Sequence, residues 1–437
     1  MTDTARRTSE DVTTEVTAWL EENWSPDLSI GDWWELLGHS GWAVPTWPEE
    51  WFGKGLSRGD GIKVSQAIAD FGALGPPAGL GLLLAGPTIY THGTDEQKQR
   101  YLPDIVTGKK AWCQLFSEPG AGSDLAGLQT RAIKDGDEWV INGQKVWTSG
   151  GQAADLGMLL ARTDADVPKH SGISYFAFDM HQEGAVEVRP LREMTGRALF
   201  NEVFMTDARV ADDTCIGGVN KGWAVANTTL AFERAGLGAG GGSAGGGAAV
   251  PGTVMGNLTK RAGDFVTRRD RSGAPGMFAN AERLLTELAK GNGKLSDPSV
   301  RQDLAELHTL NEIARMTNLR QKALKASGAP DIPGIGNIAK LSMSRILRLS
   351  RDLGLRILGP LGTLHAYTPE DRKVLDEATG NPFAGIVTEM ALFSPGPSIY
   401  GGTDEIQHNI IGERVLGLPK EPNNDKTTAF KDLPKNG

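Results

Sequence analysis

The spacing of apolar side chains changes twice along this chain, and each change predicts a different type of structure. Near the N-terminus apolar residues recur every three or four positions, as at Val12, Val16 and Trp19, which predicts helices with one buried face. The same periodicity continues over 59–92 and 95–107, with Asp95 as the expected N-cap of the second segment. We therefore expect an N-terminal helical domain over residues 1–110.

Between residues 111 and 212 the apolar period falls to two, which is typical of strands. Several short segments separated by Gly, Asp or Asn predict a compact antiparallel β domain. The predicted strands are Trp112–Phe116, Gln129–Lys134, Trp139–Ile141, Leu156–Arg162, Ile173–Asp179, Val186–Pro190 and Glu202–Val210. An Asn142-Gly143 turn is expected to join the two arms of a hairpin that carries Trp147 after the turn.

From Gly218 the helical period returns, and the predicted C-terminal helical domain spans residues 213–437. Two long apolar seams occur here: Leu304, Leu307, Leu310, Ile313, Met316 and Leu319 form the first, and Ile338, Leu341, Ile346, Leu347, Leu353 and Ile357 the second. Long helices of this kind pack as a bundle. The predicted fold class is therefore α+β, with a helical domain, a β domain and a C-terminal helix bundle in that order.

Composition narrows the function classes. The 437 residues carry a net charge of −9, so there is no electrostatic footprint for nucleic acid. No apolar run approaches the roughly 20 residues that a membrane span needs, and no signal-type segment begins the chain, so we expect a cytoplasmic protein without a membrane span. Neither of the two cysteines has other metal-ligand residues at a suitable spacing in the sequence. Cys113, inside a predicted strand, is expected to be a buried structural thiol.

Three motifs carry the candidate chemistry. Residues 114–124 form an apolar run followed by Pro-Gly-Ala-Gly-Ser-Asp, which predicts a strand delivering a loop whose N–H groups and hydroxyls can hold an anionic group. Residues 142–151 contain Trp147 after an Asn-Gly pair, and residues 400–407 read Tyr-Gly-Gly-Thr-Asp-Glu-Ile-Gln. Together, at this spacing, the motifs resemble the signature of the acyl-CoA dehydrogenase family, flavoproteins that desaturate acyl-CoA thioesters. The resemblance extends from about residue 30 to about residue 420.

The resemblance implies a three-domain subunit that binds FAD in the cleft between the β domain and the C-terminal bundle. It also implies an acyl-CoA substrate, an electron-transfer flavoprotein as acceptor, and a homomeric or mixed tetramer in which a neighbouring subunit covers the adenine end of FAD. The sequence does not fit a nicotinamide-dependent enzyme of the Rossmann type, because no Gly-x-Gly-x-x-Gly motif opens a strand-turn-helix unit in the N-terminal part.

The reaction of the resembled family needs a base for the α proton and donors for the thioester oxygen. In many members the base is a Glu directly after the Tyr of the third motif, and here that position is Gly401. Other branches place the base on a helix just before an Arg, and Glu233 precedes Arg234 at the matching place. The resemblance therefore implies Glu233 as the base, with the N–H of Gly401 still able to hold the thioester oxygen. The alternative for Glu233 is a surface carboxylate in an ion pair.

The cofactor and substrate contacts implied by the family pattern are as follows. Phe116 and Ser117 would lie against the flavin edge, Trp147 would flank the ring, and Ser117 and Ser149 would donate hydrogen bonds. Ser123 would reach the FAD pyrophosphate or the CoA end, and Arg234 would contact CoA. Thr403 and Glu405 would serve the diphosphate and ribityl region of FAD. Gln302, Arg356 and Gly359 are weaker matches on the adenine side. The family's Arg-x-x-Phe-Gly element is absent, and Lys290 is the cation offered in its place. Each hydroxyl has the alternative of a turn or cap residue.

The glycine-rich stretch from Gly236 to Gly252 opposes a regular helix. It is either a flexible linker, a helix that lets another backbone approach, or a widening of the acyl pocket for a branched or polycyclic acyl group. Three functions stay open at this point: an acyl-CoA dehydrogenase with Glu233 as base, a base-deficient assembly subunit of a mixed tetramer, and an acyl-CoA oxidase that uses oxygen.

Overall fold

A computed structural model describes residues 9–237, 257–266, 281–327 and 332–434 of the chain. The expectations for the glycine-rich stretch fall mostly on residues 238–252, which lie outside the described ranges. By packing, the chain divides into two compact units: Met1–Leu191, Ala198–Arg271 and Asn423–Gly437 form the first, and Arg192–Arg197 and Ser272–Pro422 the second. The first unit thus contains both the N-terminal helices and the sheet, and the domain boundaries at 110 and 212 stay predictions.

The N-terminal part of the first unit is helical, as predicted. Its helices are α1 (Ser9–Asn23), α2 (Ile30–His39), α3 (Arg58–Phe71), α4 (Gly86–His92) and α5 (Asp95–Val106). The expected N-cap of α5 is wrong by one residue, because Thr94 accepts the hydrogen bond from the N–H of Gln97 while the Gln97 side chain accepts from the N–H of Thr94. This reciprocal capping box leaves Asp95 in the first turn, where its carboxylate favours the helix dipole.

Within the described residues, the sheet of the first unit has eight strands. They are β1 (Trp112–Leu115), β2 (Arg131–Asp135), β3 (Glu138–Ser149), β4 (Leu156–Arg162), β5 (Ile173–Asp179), β6 (Val186–Leu191), β7 (Phe200–Ala211) and β8 (Cys215–Ile216). The strand order is β6-β7-β3-β2-β4-β5-β8, and β1 pairs with β4. The pairings of β4 with β1 and with β2 are parallel and the others antiparallel, so the sheet is mixed. The predicted α+β architecture is confirmed.

The expected turn at Asn142-Gly143 is wrong, because β3 runs through these residues without reversing. The reversal between β2 and β3 lies at Gly136, whose φ of 66° is left-handed. Gly143 is required for a different reason: a Cβ there would lie 2.3 Å from the Oγ1 of Thr130. The pairing of β3 with β7 also shifts register between Ile141 and Gly143, so this glycine marks a bulge in a long strand rather than a hairpin end.

The two faces of β1 lie in different cores. Trp112 and Phe116 pack with residues of α4 and α5 in one hydrophobic cluster, whereas Cys113 and Leu115 lie in the cluster on the other face of the sheet. Burial raises the pKa of the Cys113 thiol to about 12, so this thiol is unreactive at neutral pH, as expected. The alternation therefore determines which side chains of β1 point towards the helices.

After the sheet, α6 (Gly222–Leu237) returns to the helical face of the first unit. Its first residue is a glycine because a Cβ at position 222 would lie 2.5 Å from the backbone carbonyl carbon of Ser174 on β5. Its buried side is tied to α4 by a hydrogen bond of 2.8 Å between the hydroxyls of Thr88 and Thr229. Glu233 lies one turn beyond this contact, and its side chain is half-buried.

The second unit is a helical bundle. Its helices are α7 (Ala281–Gly291), α8 (Pro298–Ala326), α9 (Ile335–Leu358), α10 (Pro369–Thr379), α11 (Ala384–Phe393) and α12 (Asp404–Ile410). Leu285, Leu307, Leu353 and Val387 lie in its core, so the two predicted seams do contribute buried residues. Within the described ranges, none of the helices combines the length and the apolar character that crossing a bilayer requires.

Candidate functional site

The first and second motifs are joined by their backbones. β1 ends at Leu115 and leads into Phe116, which is buried, and Ser117, which is half-buried. The carbonyl of Ser117 accepts a 2.9 Å hydrogen bond from the N–H of Val146, on β3. The start of the glycine-rich loop is therefore held directly beside Trp147, as a site assembled from both motifs requires.

Trp147 has an unusual conformation for an aromatic residue. Its φ is 62°, in the left-handed region, and the pairing of β3 with β7 shifts register between Lys145 and Thr148. The indole is 57% exposed and meets the ring of Phe200 edge-on at 5.6 Å. A left-handed L-residue costs about 1–2 kcal/mol, and such strain persists mainly where it contributes to function. The conformation leaves much of a large aromatic side chain exposed to solvent.

Two hydroxyls of the first and second motifs lack a hydrogen-bond partner among the described residues. Ser117 and Ser149 are both half-buried, and within the described part of the chain neither hydroxyl makes a hydrogen bond. Ser123 is exposed on the loop that follows β1. An exposed indole beside half-buried hydroxyl donors suits a flat heterocycle with polar edges, so these residues fit a flavin.

A buried ion pair holds the glycine-rich loop in place. The ammonium of Lys145, which is fully buried, donates to the carboxylate of Glu118 at 2.8 Å and to the carbonyl of Phe116 at 3.0 Å. Glu118 also accepts from the N–H groups of Gln129 and Thr130, at 2.6 and 2.9 Å. Burial alone would raise the pKa of the Glu118 carboxyl, but these donors and the charge of Lys145 lower it below its usual value. No signal in the sequence predicts this pair, because the two residues are 27 positions apart.

The fold brings Glu233 to β1. The side-chain amide of Gln114 donates to the Glu233 carboxylate at 3.4 Å. Because side chains alternate along a strand, Gln114 lies on the same face of β1 as Phe116, the first predicted flavin contact. Gln114 was not among the predicted site residues, and no sequence signal paired it with a residue more than 100 positions away. The side chain of Arg234 lies outside the described part of the structure.

The third motif belongs to the second unit. Gly401 and Gly402 have φ values of 64° and 83°, and their carbonyls accept from the side-chain amide of Gln407 at 2.9 and 3.3 Å. A side-chain base at position 401 would have to adopt the left-handed conformation, which L-residues other than glycine avoid. Gly401 thus supplies backbone groups only.

Thr403 is the N-cap of α12, and its hydroxyl accepts from the N–H of Ile406 at 3.2 Å. Thr403 therefore has the cap role that was the alternative to a ligand contact, although its hydroxyl keeps a proton that it can donate. Glu405 is exposed in the first turn of α12, and hydrogen bonds at this helix start lower the pKa of its carboxyl. The described contacts thus give Thr403 a cap role and leave Glu405 as an exposed carboxylate at the start of α12.

Asp404 fastens the third motif to α9. Its carboxylate accepts from Lys340 and Arg348, each at 2.9 Å, and from the hydroxyl of Ser344 at 2.8 Å. Burial would raise the pKa of Asp404, but the hydrogen bonds from Lys340 and Ser344 and the charge of Lys340 lower it to about 2. This residue was not among the predicted site residues, although it lies inside the predicted motif.

The weaker adenine-side candidates lie elsewhere on the second unit. Gln302 lines an open groove of about 570 Å³ together with Leu295, Ser296, Pro298, Arg301 and Ala305. Arg356 is exposed and forms an ion pair with Asp303 of α8, and Gly359 ends α9 with a φ of 59°. Within the described ranges, no group of three or more His, Cys, Asp or Glu side chains is placed to hold a metal ion.

Comparison with protein families matches three parts of the chain. Residues 1–109 match the N-terminal domain of acyl-CoA dehydrogenases, residues 113–208 the middle domain and residues 273–416 the C-terminal domain.

Curated relatives with similar sequences include acyl-CoA dehydrogenases of Mycobacterium tuberculosis. The acyl-CoA dehydrogenase IpdE1 is 36% identical over 391 residues, which cover 89% of this chain and 88% of that protein. The acyl-CoA dehydrogenase FadE34 is 42% identical over 282 residues, covering 62% of this chain and 37% of that protein.

Two solved structures resemble the chain over most of its length. A chain of the ChsE4-ChsE5 complex from Mycobacterium tuberculosis has a TM-score of 0.64 and 28% identity, covering 96% of this chain and 100% of its own. A chain of the Tcur3481-Tcur3483 steroid ACAD has a TM-score of 0.65 and 26% identity, covering 95% of this chain and 99% of its own.

Proposed function

Because this chain belongs to the acyl-CoA dehydrogenase family of FAD-dependent oxidoreductases, we propose that it desaturates an acyl-CoA thioester between its α and β carbons. Glu233 takes the α proton, the β hydrogen leaves as hydride, and the product is the trans-2-enoyl-CoA. When bound, FAD supplies the acceptor for that hydride. The single observation that carries the proposal is the contact of 3.4 Å between Gln114 and Glu233, since it puts a carboxylate on the face of β1 that leads to Phe116.

The residues of the first unit support this chemistry in distinct ways. Gln114 orients the Glu233 carboxylate through its amide N–H. Trp147 flanks the flavin ring, and Ser117 and Ser149 donate hydrogen bonds to its polar edge. Ser123 lies on the loop that receives a diphosphate, either of FAD or of CoA.

The family pattern assigns further roles to residues of the second unit. The N–H of Gly401 donates to the thioester oxygen, where negative charge develops as the α proton leaves. Thr403 and Glu405 serve the diphosphate and ribityl part of FAD, and Gln302, Arg356 and Gly359 its adenine side. Arg234, in the first unit, contacts the CoA moiety.

A bulky acyl group is the proposed substrate class. One structural neighbour is named a steroid ACAD, and in this chain the glycine-rich stretch directly follows the proposed base. Glycine adds no side-chain volume, so this sequence is compatible with a branched or polycyclic acyl group. Equal or better turnover of short straight-chain acyl-CoAs would contradict this assignment.

The assembly is proposed to be a tetramer, either homomeric or mixed, with an electron-transfer flavoprotein as electron acceptor. A base-deficient subunit is the second candidate function, because Gly401 lacks the usual side chain and the ChsE4-ChsE5 neighbour is a complex of two named chains. An oxidase is the third candidate, and peroxide formation on adding substrate in air would identify it.

Anaerobic flavin bleaching tests the proposal. Wild type, Glu233→Gln and the control Glu287→Gln, an exposed carboxylate of α7, are purified with FAD and mixed with straight-chain, branched and polycyclic acyl-CoAs. We expect the wild type and the control to be reduced by at least one thioester. Glu233→Gln should bind that thioester but be reduced about a hundredfold or more slowly, because the general base is lost. Bleaching of Glu233→Gln at the wild-type rate would refute the role of Glu233, and absence of bleaching in all three proteins would favour the assembly subunit.

A further inference from the structure

The C-terminal segment 423–434, called the C-terminal strap below, packs against the sheet of the first unit. The N–H of Phe430 donates to the carbonyl of Val167 at 2.9 Å, and the N–H of Lys431 donates to the carbonyl of Ala165 at 3.0 Å. Ala429 forms an antiparallel bridge with Pro168. The strap therefore covers the connection between β4 and β5, and it lies beyond residue 416, where the match to the family's C-terminal domain ends.

Two side chains of the strap contact two cations: Arg162, the last residue of β4, and Lys169, in the connection between β4 and β5. The ring of Phe430 stacks on the guanidinium of Arg162, with 3.7 Å between the Arg162 Cζ atom and the ring centroid. The carboxylate of Asp425 accepts from the ammonium of Lys169 at 2.6 Å. Arg162 is only 5% exposed, so its stacking partner is part of what shields this charge from water.

The same two cations also bind residues of the glycine-rich loop that follows β1. Arg162 donates to the carbonyls of Ala126 and Leu128, at 2.6 and 3.3 Å. Lys169 binds both carboxylate oxygens of Asp124, at 3.0 and 2.9 Å. Arg162 and Lys169 thus contact both the strap and the loop segment 120–128, which carries the exposed Ser123.

The electrostatics of Arg162 make the stacking contact important. Burial lowers the pKa of Arg162 to about 10, and its Nε atom has no hydrogen-bond partner within the described structure. Without the Phe430 ring, one face of the Arg162 guanidinium would be exposed to water. Water would then compete for the hydrogen bonds that Arg162 donates to the carbonyls of Ala126 and Leu128. A cation stacked on an aromatic face is stabilised most strongly when it is desolvated, as here.

We propose that Phe430 and Asp425 are positioning residues: acting through Arg162 and Lys169, they hold the 120–128 loop in the conformation that receives a diphosphate. The proposal rests on the function proposed above, which gives this loop a diphosphate of FAD or of coenzyme A. The chemistry of the two ligands is shared, and the experiment separates them.

The test measures binding, so it does not depend on turnover. Full-length wild type, Phe430→Ala, Asp425→Asn and the double variant are prepared without flavin, and the Kd values of FAD and of free coenzyme A are measured. Phe430→Tyr is the conservative rescue, because a phenol ring retains the stacking face. Lys431→Ala is the matched control within the strap, because it removes only an exposed ion pair with Asp166.

We expect Phe430→Ala to raise one of the two Kd values about tenfold, and the double variant to raise it further. Phe430→Tyr should restore the wild-type value, and Lys431→Ala should leave both Kd values unchanged. The ligand that weakens is the one whose diphosphate the loop holds. All Kd values are taken well below each melting temperature, so a loss of global stability alone leaves them unaltered.

Unchanged Kd values for both ligands in the double variant would overturn the proposal, as would a Lys431→Ala effect equal to that of Phe430→Ala. Because neither measurement uses Glu233 or substrate reduction, the proposed catalytic function can fail while the strap proposal holds. The reverse also applies.

Discussion

At the scale of single residues, the same left-handed backbone conformation has different consequences at two motif positions. Gly401 and Trp147 are both left-handed, with φ values of 64° and 62°. Glycine adopts this conformation without strain, whereas tryptophan does not. The left-handed backbone and the exposed indole of Trp147 support its proposed role as a flavin contact, whereas Gly401 contributes only its backbone.

Replacing Trp147 by glycine should separate stability from binding. The substitution removes the left-handed strain, worth about 1–2 kcal/mol, and also removes the contact with Phe200, so the free energy of unfolding should change by less than about 1 kcal/mol. The Kd of FAD should nevertheless rise about tenfold, because the flanking ring is lost. Chemical denaturation and a flavin titration measure the two quantities.

Phe52→Gly is the matched control, since Phe52 is also an aromatic residue with a left-handed φ, of 66°, but lies outside the motifs. It should leave FAD affinity unchanged. Equal weakening of FAD binding by both variants would show that Trp147 has no specific contact with the flavin.

At the scale of elements, the third motif is held by the packing of α12 on α9. Asp404 at the start of α12 meets Lys340 and Arg348 of α9, and Gln407 is bound by the side-chain amide of Asn337 at 2.6 Å. Gln407 in turn holds the carbonyls of Gly401 and Gly402. The conformation of the glycines therefore depends on these contacts between helices.

Replacing Asp404 by asparagine should destabilise the second unit in a pH-dependent way. The pKa of Asp404 is lowered to about 2 in the folded protein, so its carboxylate stabilises the fold above the unfolded-state pKa. This stability, about 1–2 kcal/mol after allowance for solvent screening, is lost as the pH falls through the folded pKa. Unfolding of wild type and variant, followed by denaturant titration, should differ by a constant amount from pH 7 to 5, and the difference should narrow below about pH 4.

The control for this variant is Asp352→Asn, which removes an exposed ion pair with the neighbouring Arg351. Such a pair contributes at most about 1 kcal/mol. If the stability gap of Asp404→Asn were the same at pH 3 as at pH 7, the carboxylate would not be the stabilising group.

At the scale of the whole molecule, one predicted apolar seam is only partly buried within the described part of the chain. The N-terminal part of α8 buries Leu307, but Ile313, Met316 and Leu319 are 55%, 60% and 51% exposed. Apolar side chains at this helical spacing form a stripe, and exposed stripes of this kind are typical of subunit interfaces. We expect the stripe to lie between subunits of the proposed tetramer.

Replacing Ile313 and Met316 together by aspartate should reduce the native mass, because two buried charges without partners oppose association. Light scattering after size-exclusion chromatography measures that mass. Arg315→Gln on the same turn of α8 is the control, since Arg315 forms only an exposed pair with Glu312. An unchanged mass for the double variant would place the interface elsewhere.

Much of the fold was predictable because local periodicity survives packing. Six of the seven predicted strands lie within one or two residues of the observed bounds at both ends, and both long helices occur where the apolar seams predicted them. The Asn142-Gly143 turn failed because the close approach of Thr130 also selects a glycine, and a dipeptide does not distinguish these two causes. The N-cap of α5 failed because Thr94 and Asp95 are both good capping residues, and the reciprocal bond with Gln97 selects Thr94.

The sequence by itself determined the family, the order of helical and β segments, and the motif residues that carry the candidate chemistry, since these depend on residue type and short spacing. Only the tertiary structure decided that Gln114 meets Glu233, that Glu118 and Lys145 form a buried pair, and that Phe430 covers Arg162. These contacts join residues from 27 to 268 positions apart. Burial and charge compensation select such partners, and neither can be evaluated until the chain has folded.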